Sequence, residues 1–234
     1  MDINSPESPQ PEELFMEGTA QDLIEGLLHE NSVYVIGVGG CGCNTVEYIN
    51  KQNIKNVKTI AINTDERVLG DLDVDRQMLI GKDLTNGKGA NGDPKIGKRA
   101  AELNEEQILK TLDGADFVVV VAGLGGGTGS GASYVISDLA RRNGKMVVTY
   151  AIMPFKAEKN RYQKADIYRE KLSAVSQAMT VFENDRALMH GNKSPKAAFD
   201  LAGKMLHKVV KCLRMEYVTE FFKEVGLDAN GLSK

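Results

Sequence analysis

The chain has 234 residues, 42% hydrophobic and 26% charged, with a formal net charge of −3. That length gives one large domain or two small ones with a substantial core, and the mildly acidic balance gives no electrostatic reason to expect nucleic acid as a partner. No apolar run reaches the roughly 18 residues of a membrane-spanning helix, and the acidic, proline-rich start MDINSPESPQPEEL does not read as a secretory signal.

The three cysteines, Cys41, Cys43 and Cys212, make no disulfide framework, so a reducing, cytoplasmic setting is expected. Cys41 and Cys43 have no nearby His or further Cys to complete a metal site, and no metal is expected there. Two small side chains at a turn entering a helix explain them, with a lowered thiol pKa and oxidation sensitivity as the alternative.

Residues 1–10 read as a disordered lead. From Pro11 to Glu30, Leu14, Ala20, Leu23, Ile24, Leu27 and Leu28 recur at helical spacing; this helix docks on the domain or serves a partner. SVYVIGV predicts a strand, CNTVEYINKQ a helix, VKTIAIN a second strand and QMLI a short third one. The stretch GKDLTNGKGANGDPKIG reads as a long loop, followed by a helix over roughly 96–112. ADFVVVVAG is a continuous apolar strand of the kind buried on both faces of a parallel sheet. A helix over about 130–142, the strand KMVVTYAIM, a helix over about 158–177 and the strand AMTVFEN come next. Pro195 opens a last, long helix reaching about Val225. Strands alternating with helices predict an α/β fold with a parallel sheet, which binds ligands at the carboxyl ends of its strands.

Both glycine-rich runs fall at such ends. GVGGCGCN holds G-x-G-x-x-G at Gly37, Gly39 and Gly42, between a strand and a helix, with Asp65 closing the second strand a little over twenty residues later. Alone, that pattern favours NAD. The second run, AGLGGGTGSG, follows FVVVV and supplies another row of bare amides entering a helix, with Thr128 and Ser130 adding hydroxyl donors. Two cradles at neighbouring strand ends suit a triphosphate held from both sides better than a dinucleotide. G-x-x-x-x-G-K-[ST] is absent, which excludes a P-loop nucleotide binder.

GGGTGSG resembles the tubulin/FtsZ signature G-G-G-T-G-[ST]-G, and VIGVGGCGCN, AINTD, GKGANGDP, MPF and ENDR resemble the other FtsZ nucleotide loops in the same order. The resemblance covers roughly residues 30–190 and implies a three-layer Rossmann-like parallel sheet with a long C-terminal helix. It implies GTP or GDP as the ligand, with Mg2+ a further candidate. Gly39, Gly40 and Asn44 would meet the phosphates from the first loop. Gly87, Gly89 and Ala90 would approach the γ-phosphate from a third loop, which has Asn91 where the family has glycine. Gly125, Gly126, Gly127, Thr128, Gly129 and Ser130 would form the main cradle. Glu158 would contact the ribose and Asn184 the guanine, while Asp65 would be structural or near the base. Arg161 stands one position early against the family's E-G-x-x-R, and Gly203 stands where the last helix normally carries the Asn or Asp that answers guanine.

Similarity to FtsZ also implies hydrolysis between subunits, completed by an acidic loop after the last helix. This chain reads VGLDANGLSK there, leaving Asp228 as the candidate acid and Gly226 in place of an asparagine. The expected organisation is a disordered lead (1–10), a helix (11–30), a GTP-binding domain (31–190), and a long helix with a short tail (191–234), without a second domain.

At 100° per residue, Ala198, Ala202, Met205, Leu206, Val209, Cys212, Leu213 and Tyr217 share one stripe of the last helix, with Lys204, His207, Lys208, Lys211 and Arg214 opposite. The basic face is a solvated surface, or it meets an anionic partner or membrane surface across 204–225. Val218, Phe221, Phe222 and Val225 fall on or near that side as a candidate contact patch. The two readings of function are a self-associating GTP-binding protein with slow hydrolysis across a homo-oligomer interface, and a non-hydrolysing GTP/GDP-binding scaffold.

Overall fold

The computed structural model describes residues 32–189 and 195–224, with side chains described for 32–186 and 197–213. The chain divides into two compact units, residues 31–213 and residues 1–30 with 214–234. Of the second unit, only the helical backbone of 214–224 falls within the described residues. The expected lead and helix over 1–30, Asp228, and the side chains of Arg214, Tyr217, Val218, Phe221, Phe222 and Val225 lie outside them.

Six parallel strands form one sheet: β1 (Val33–Val38), β2 (Val57–Asn63), β3 (Arg76–Leu79), β4 (Phe117–Gly123), β5 (Met146–Met153) and β6 (Ala178–Glu183). Their order is β3-β2-β1-β4-β5-β6, every neighbouring pair parallel. The chain moves outward in one direction from β1 to β3, then restarts at β4 and moves outward in the other. The topological switch therefore lies between β1 and β4, which pair from Val33↔Phe117 to Val38↔Ala122. Both glycine loops leave the sheet there, where open α/β sheets form their ligand crevice.

The central strands are Val- and Ile-rich because helices cover both their faces; all six residues of β1 are buried. Helix α1 (Gly39–Asn50) follows β1, and the one-turn helices α2 (Glu66–Gly70) and α3 (Lys82–Thr85) follow β2 and β3. Then come α4 (Pro94–Glu102), α5 (Glu105–Leu112), α6 (Gly127–Arg142), α7 (Lys159–Val175), α8 (Asn184–Met189) and α9 (Pro195–Glu224). On one face Ala100, Ile108, Leu112, Ile136 and Leu139 from α4, α5 and α6 pack on Ile36, Ile60 and Val120. On the other, Val46 and Ile49 of α1 and Ala198, Ala202, Leu206 and Val210 of α9 pack on Val35, Val119, Tyr150 and Phe182.

The structure corrects four expectations. The single helix over 96–112 is two helices: the Asn104 side chain leaves the helical path, accepting a bond from Gly81 N (2.7 Å) and donating to Gln107 Oε1 (3.0 Å). The helix placed at 130–142 begins at Gly127, so the second half of the run AGLGGGTGSG is helix rather than loop. Within the stretch 81–97 that reads as a long loop lie the short helix α3 and the start of α4, and the short helices α2 and α8 fall where the sequence predicts no helix. Finally, the expected stripe of α9 holds at Ala198, Ala202 and Leu206, with Val209 and Leu213 packed against the core, but Val210 is buried in place of Met205 (42% exposed) and Cys212, which face outward beside Lys204, Lys208 and Lys211. His207 is half-buried, and its pKa is held below the ordinary value by burial and by the Lys211 cation.

Candidate functional site

The two loops at the switch point are built against each other, and their glycines divide into two kinds. A Cβ on Gly39 would lie 2.7 Å from Gly129 N, one on Gly42 would lie 2.3 Å from Val121 O, and one on Gly129 would lie 2.3 Å from Gly123 O. Gly123 meets the Cys41 side chain at 2.4 Å in the same sense. Gly39, Gly42 and Gly129 are glycine because main chain touches main chain. Gly40 and Gly126 differ. Only Val68 Cγ1, at 4.0 Å, comes near a Cβ on Gly40, and nothing lies within 4 Å of one on Gly126. At these two points bare backbone opens outward.

Helices α1 and α6 start at these loops, and neither has a side-chain N-cap or an acidic residue in its first turn. A helix amino end leaves its first four N–H groups without helical partners and carries about half a positive charge. Ordinarily a Ser, Thr, Asp or Asn answers that end. Here two adjacent helix ends go unanswered by any side chain, an arrangement suited to an anion with several acceptor oxygens.

The hydroxyls of the second loop brace it from within. Thr128 Oγ1 shares a 2.6 Å hydrogen bond with Thr64 Oγ1, and Ser130 Oγ accepts from Gly125 N at 2.8 Å. Thr64, fully buried, was not singled out from the sequence; it lies in AINTD, and its partner is sixty-four residues away. Its carbonyl accepts from Gly89 N (3.0 Å), tying the third loop to the end of β2. Asp65 is the N-cap of α2, accepting from Arg67 N and pairing with its guanidinium at 3.0 Å. Its hydrogen bond with Arg67 keeps the carboxyl below the usual range, so the residue is structurally occupied.

In the third loop Gly87 and Gly89 have φ +69 and +86, and Gly87 O accepts from Glu66 N. Ala90 is buried and packs against α6: a Cβ on Gly127 would lie 2.8 Å from Ala90 Cβ and 2.9 Å from Asp93 N. Asn91 has φ +47, a left-handed conformation that asparagine tolerates better than other side chains. Its replacement of a glycine therefore keeps the turn.

Glu158 precedes α7; its carboxylate accepts from Phe155 N (3.2 Å) and from Arg161 Nη1 (2.9 Å). The Arg161 backbone and Cγ lie 2.5–2.6 Å from the position of a Gly125 Cβ, so this arginine sits against the main glycine loop despite its shifted place in the sequence. Asn44 is exposed on α1, and Asn184 is half-buried at the start of α8, just past β6. Gly203 packs under the Tyr48 ring, whose Cγ lies 2.6 Å from the position of its Cβ. An Asn or Asp has no room there.

The thiols are not activated. Burial pushes Cys41 and Cys43 up to about 12, outweighing the helix end, and Cys43 Sγ donates to Gly37 O (3.4 Å) and Ile62 O (3.6 Å). The expectation of a lowered pKa there is corrected. Among the described residues no group of three His, Cys, Asp or Glu is placed to hold a metal ion.

Known proteins share this fold. Residues 32–191 match the Tubulin/FtsZ family, GTPase domain. The chain is 38% identical over 228 residues to the cell division protein FtsZ 1 of Pyrococcus abyssi, covering 97% of this chain and 58% of that protein. It superposes on an empty FtsZ dimer from M. jannaschii with a TM-score of 0.75 and 34% identity, over 88% of this chain and 59% of that one. A GTPγS-bound protofilament of CetZ2 from Haloferax volcanii gives 0.70 and 28%, over 78% and 58%. The chain thus spans less than two thirds of each of these relatives.

Proposed function

The chain belongs to the tubulin/FtsZ family, and on that premise we propose that it binds GTP or GDP at the β1–β4 switch point and self-associates, with slow GTP hydrolysis completed across the contact between two copies. The observation that carries the reading is the pair of uncapped helix ends, α1 and α6, with Gly40 and Gly126 opening bare backbone beside them. Main-chain amides of Gly39, Gly40 and residues 126–129 bind the phosphate tail, with Gly125 and Ser130 bracing the loop from within. Arg161, braced by Glu158, brings a cation to the edge of the main loop. In hydrolysis, water attacks the γ-phosphorus, the bond to the β–γ bridging oxygen breaks, and GDP and phosphate leave. Asp228 of one copy orients that water for the next. Gly203 offers no side chain to guanine, so discrimination of the base falls on Asn184. The dimeric and protofilament forms of the relatives support self-association.

The nucleotide released on denaturing purified protein tests the reading. GTP or GDP at close to one per chain is expected; NAD or no nucleotide refutes it. Turnover per molecule should rise with protein concentration and fall in Asp228→Ala. The exposed Lys204, Lys208 and Lys211 on α9 favour a second reading, a non-hydrolysing GTP/GDP-binding scaffold that turns this face to an anionic membrane or partner. Bound nucleotide with no turnover at any protein concentration would support it.

A further inference from the structure

The tip of the third loop is held from outside. Asn91 and Gly92 are exposed and both have left-handed φ, +47 and +71. Nothing lies within 4 Å of a Cβ on Gly92, so packing does not fix it. Its carbonyl accepts a hydrogen bond from Lys164 Nζ at 3.1 Å. Among the described residues no other element hydrogen-bonds residues 91 and 92. One turn further along α7, Tyr168 is half-buried, its phenol held above the ordinary pKa by burial and then by the nearby Asp93 carboxylate. Helix α7 therefore bonds this loop through Lys164, with Tyr168 one turn further along within electrostatic reach of Asp93.

The loop's inner side bears on the cradle. Asp93 N and O and Ala90 Cβ all lie within 2.9 Å of the position of a Gly127 Cβ, and Gly127 is the first residue of α6. A shift of Gly92 carries Asp93 with it against α6. The same helix α7 places Arg161 on Gly125. One rigid helix thus touches both the main glycine loop and the tip of the third loop.

We infer that Lys164 is a positioning residue, a cationic latch that holds the third loop against the cradle through Gly92 O and thereby sets the preference for a third phosphate over two. The inference rests on the nucleotide reading above. The uncapped ends of α1 and α6 serve a diphosphate, and a longer phosphate chain extends to the wall that the third loop forms. A charge-assisted bond to a carbonyl is a strong tie for an otherwise unpacked turn.

The test is calorimetry on the full chain with GTPγS and GDP, for the wild type, Lys164→Met and Lys164→Arg. Lys164→Met should weaken GTPγS about tenfold and leave GDP within about twofold, and Lys164→Arg should restore the ratio. An unchanged ratio in Lys164→Met, with both nucleotides retained or both lost equally, overturns the latch. Hydrogen exchange of nucleotide-free protein decides the same point without a ligand. Amides of 89–93 should exchange faster in Lys164→Met, by about tenfold, with the strands unchanged; no change there overturns it. A wild type that binds neither nucleotide would refute the nucleotide reading, and the exchange result would still judge the latch.

Discussion

Alanine at Gly126 and alanine at Gly129 should have opposite effects, although the residues stand three apart in one motif. Gly129 meets Gly123 O at 2.3 Å from the position of its Cβ. Ordinary carbon contacts lie near ~3.5 Å, so the end of β4 and the start of α6 must part by about 1 Å. Neither partner is a flexible side chain, and the overpacking costs at least about 1–3 kcal/mol. At Gly126 the backbone is extended (φ −90, ψ 171) and the Cβ direction is open. Alanine fits there and should stabilise the chain by about 0.4–1 kcal/mol through the unfolded state, raising Tm by roughly 1–4 °C. The methyl group, however, stands where the phosphates are proposed to approach. Wild-type protein at GTP about 100 times its Kd should gain about 2.7 kcal/mol, and Gly126→Ala should lose most of that gain. Thermal melts of the three proteins with and without GTP check this. A Gly126→Ala protein that keeps the full GTP shift would refute the assignment of the open backbone to ligand.

Thr128→Val should destabilise the fold by about 1–3 kcal/mol, because it leaves the buried Thr64 hydroxyl unpaired, and adding Thr64→Val should recover part of the loss in denaturant titrations. Gly203→Asp should cost about 1–3 kcal/mol against the Tyr48 ring, with Tyr48→Ala relieving it in the double variant. Alkylation at pH 8 should label exposed Cys212 quickly, while buried Cys43, with its pKa pushed up to about 12, reacts only after denaturation. Its thiolate forms only as pH approaches that value, so labelling of Cys43 in the folded protein at pH 8 would contradict the burial argument.

The strands were legible because their signal is local: VKTIAIN is a strand as read, and AMTVFEN is one up to Glu183, with Asn184 opening α8. The sites of the glycine loops were legible for the same reason. What escaped depends on partners distant in sequence. Asn104 breaks a helix because Gly81 needs its side chain. Thr64 matters because of Thr128, and Lys164 because of Gly92. One edge of the α9 stripe was misplaced because the 100° rule gives a face without saying which border of it meets the sheet. Met205 and Val210 lie on opposite borders of that face, and only the packing against Tyr150 and Phe182 chose between them. The glycines posed the subtler problem. Sequence marks all of them as bare backbone, but it does not separate those that meet other main chain, such as Gly39, Gly42 and Gly129, from Gly40 and Gly126, which face open space.

The central claim is that unanswered main-chain amides at the starts of α1 and α6 hold a phosphate tail. Calorimetric titration of nucleotide-free protein with GMP, GDP and GTP tests it most directly. Affinity should rise at each added phosphate, by about tenfold or more per step if each gains one or two charge-assisted hydrogen bonds. GMP binding as tightly as GTP would contradict it.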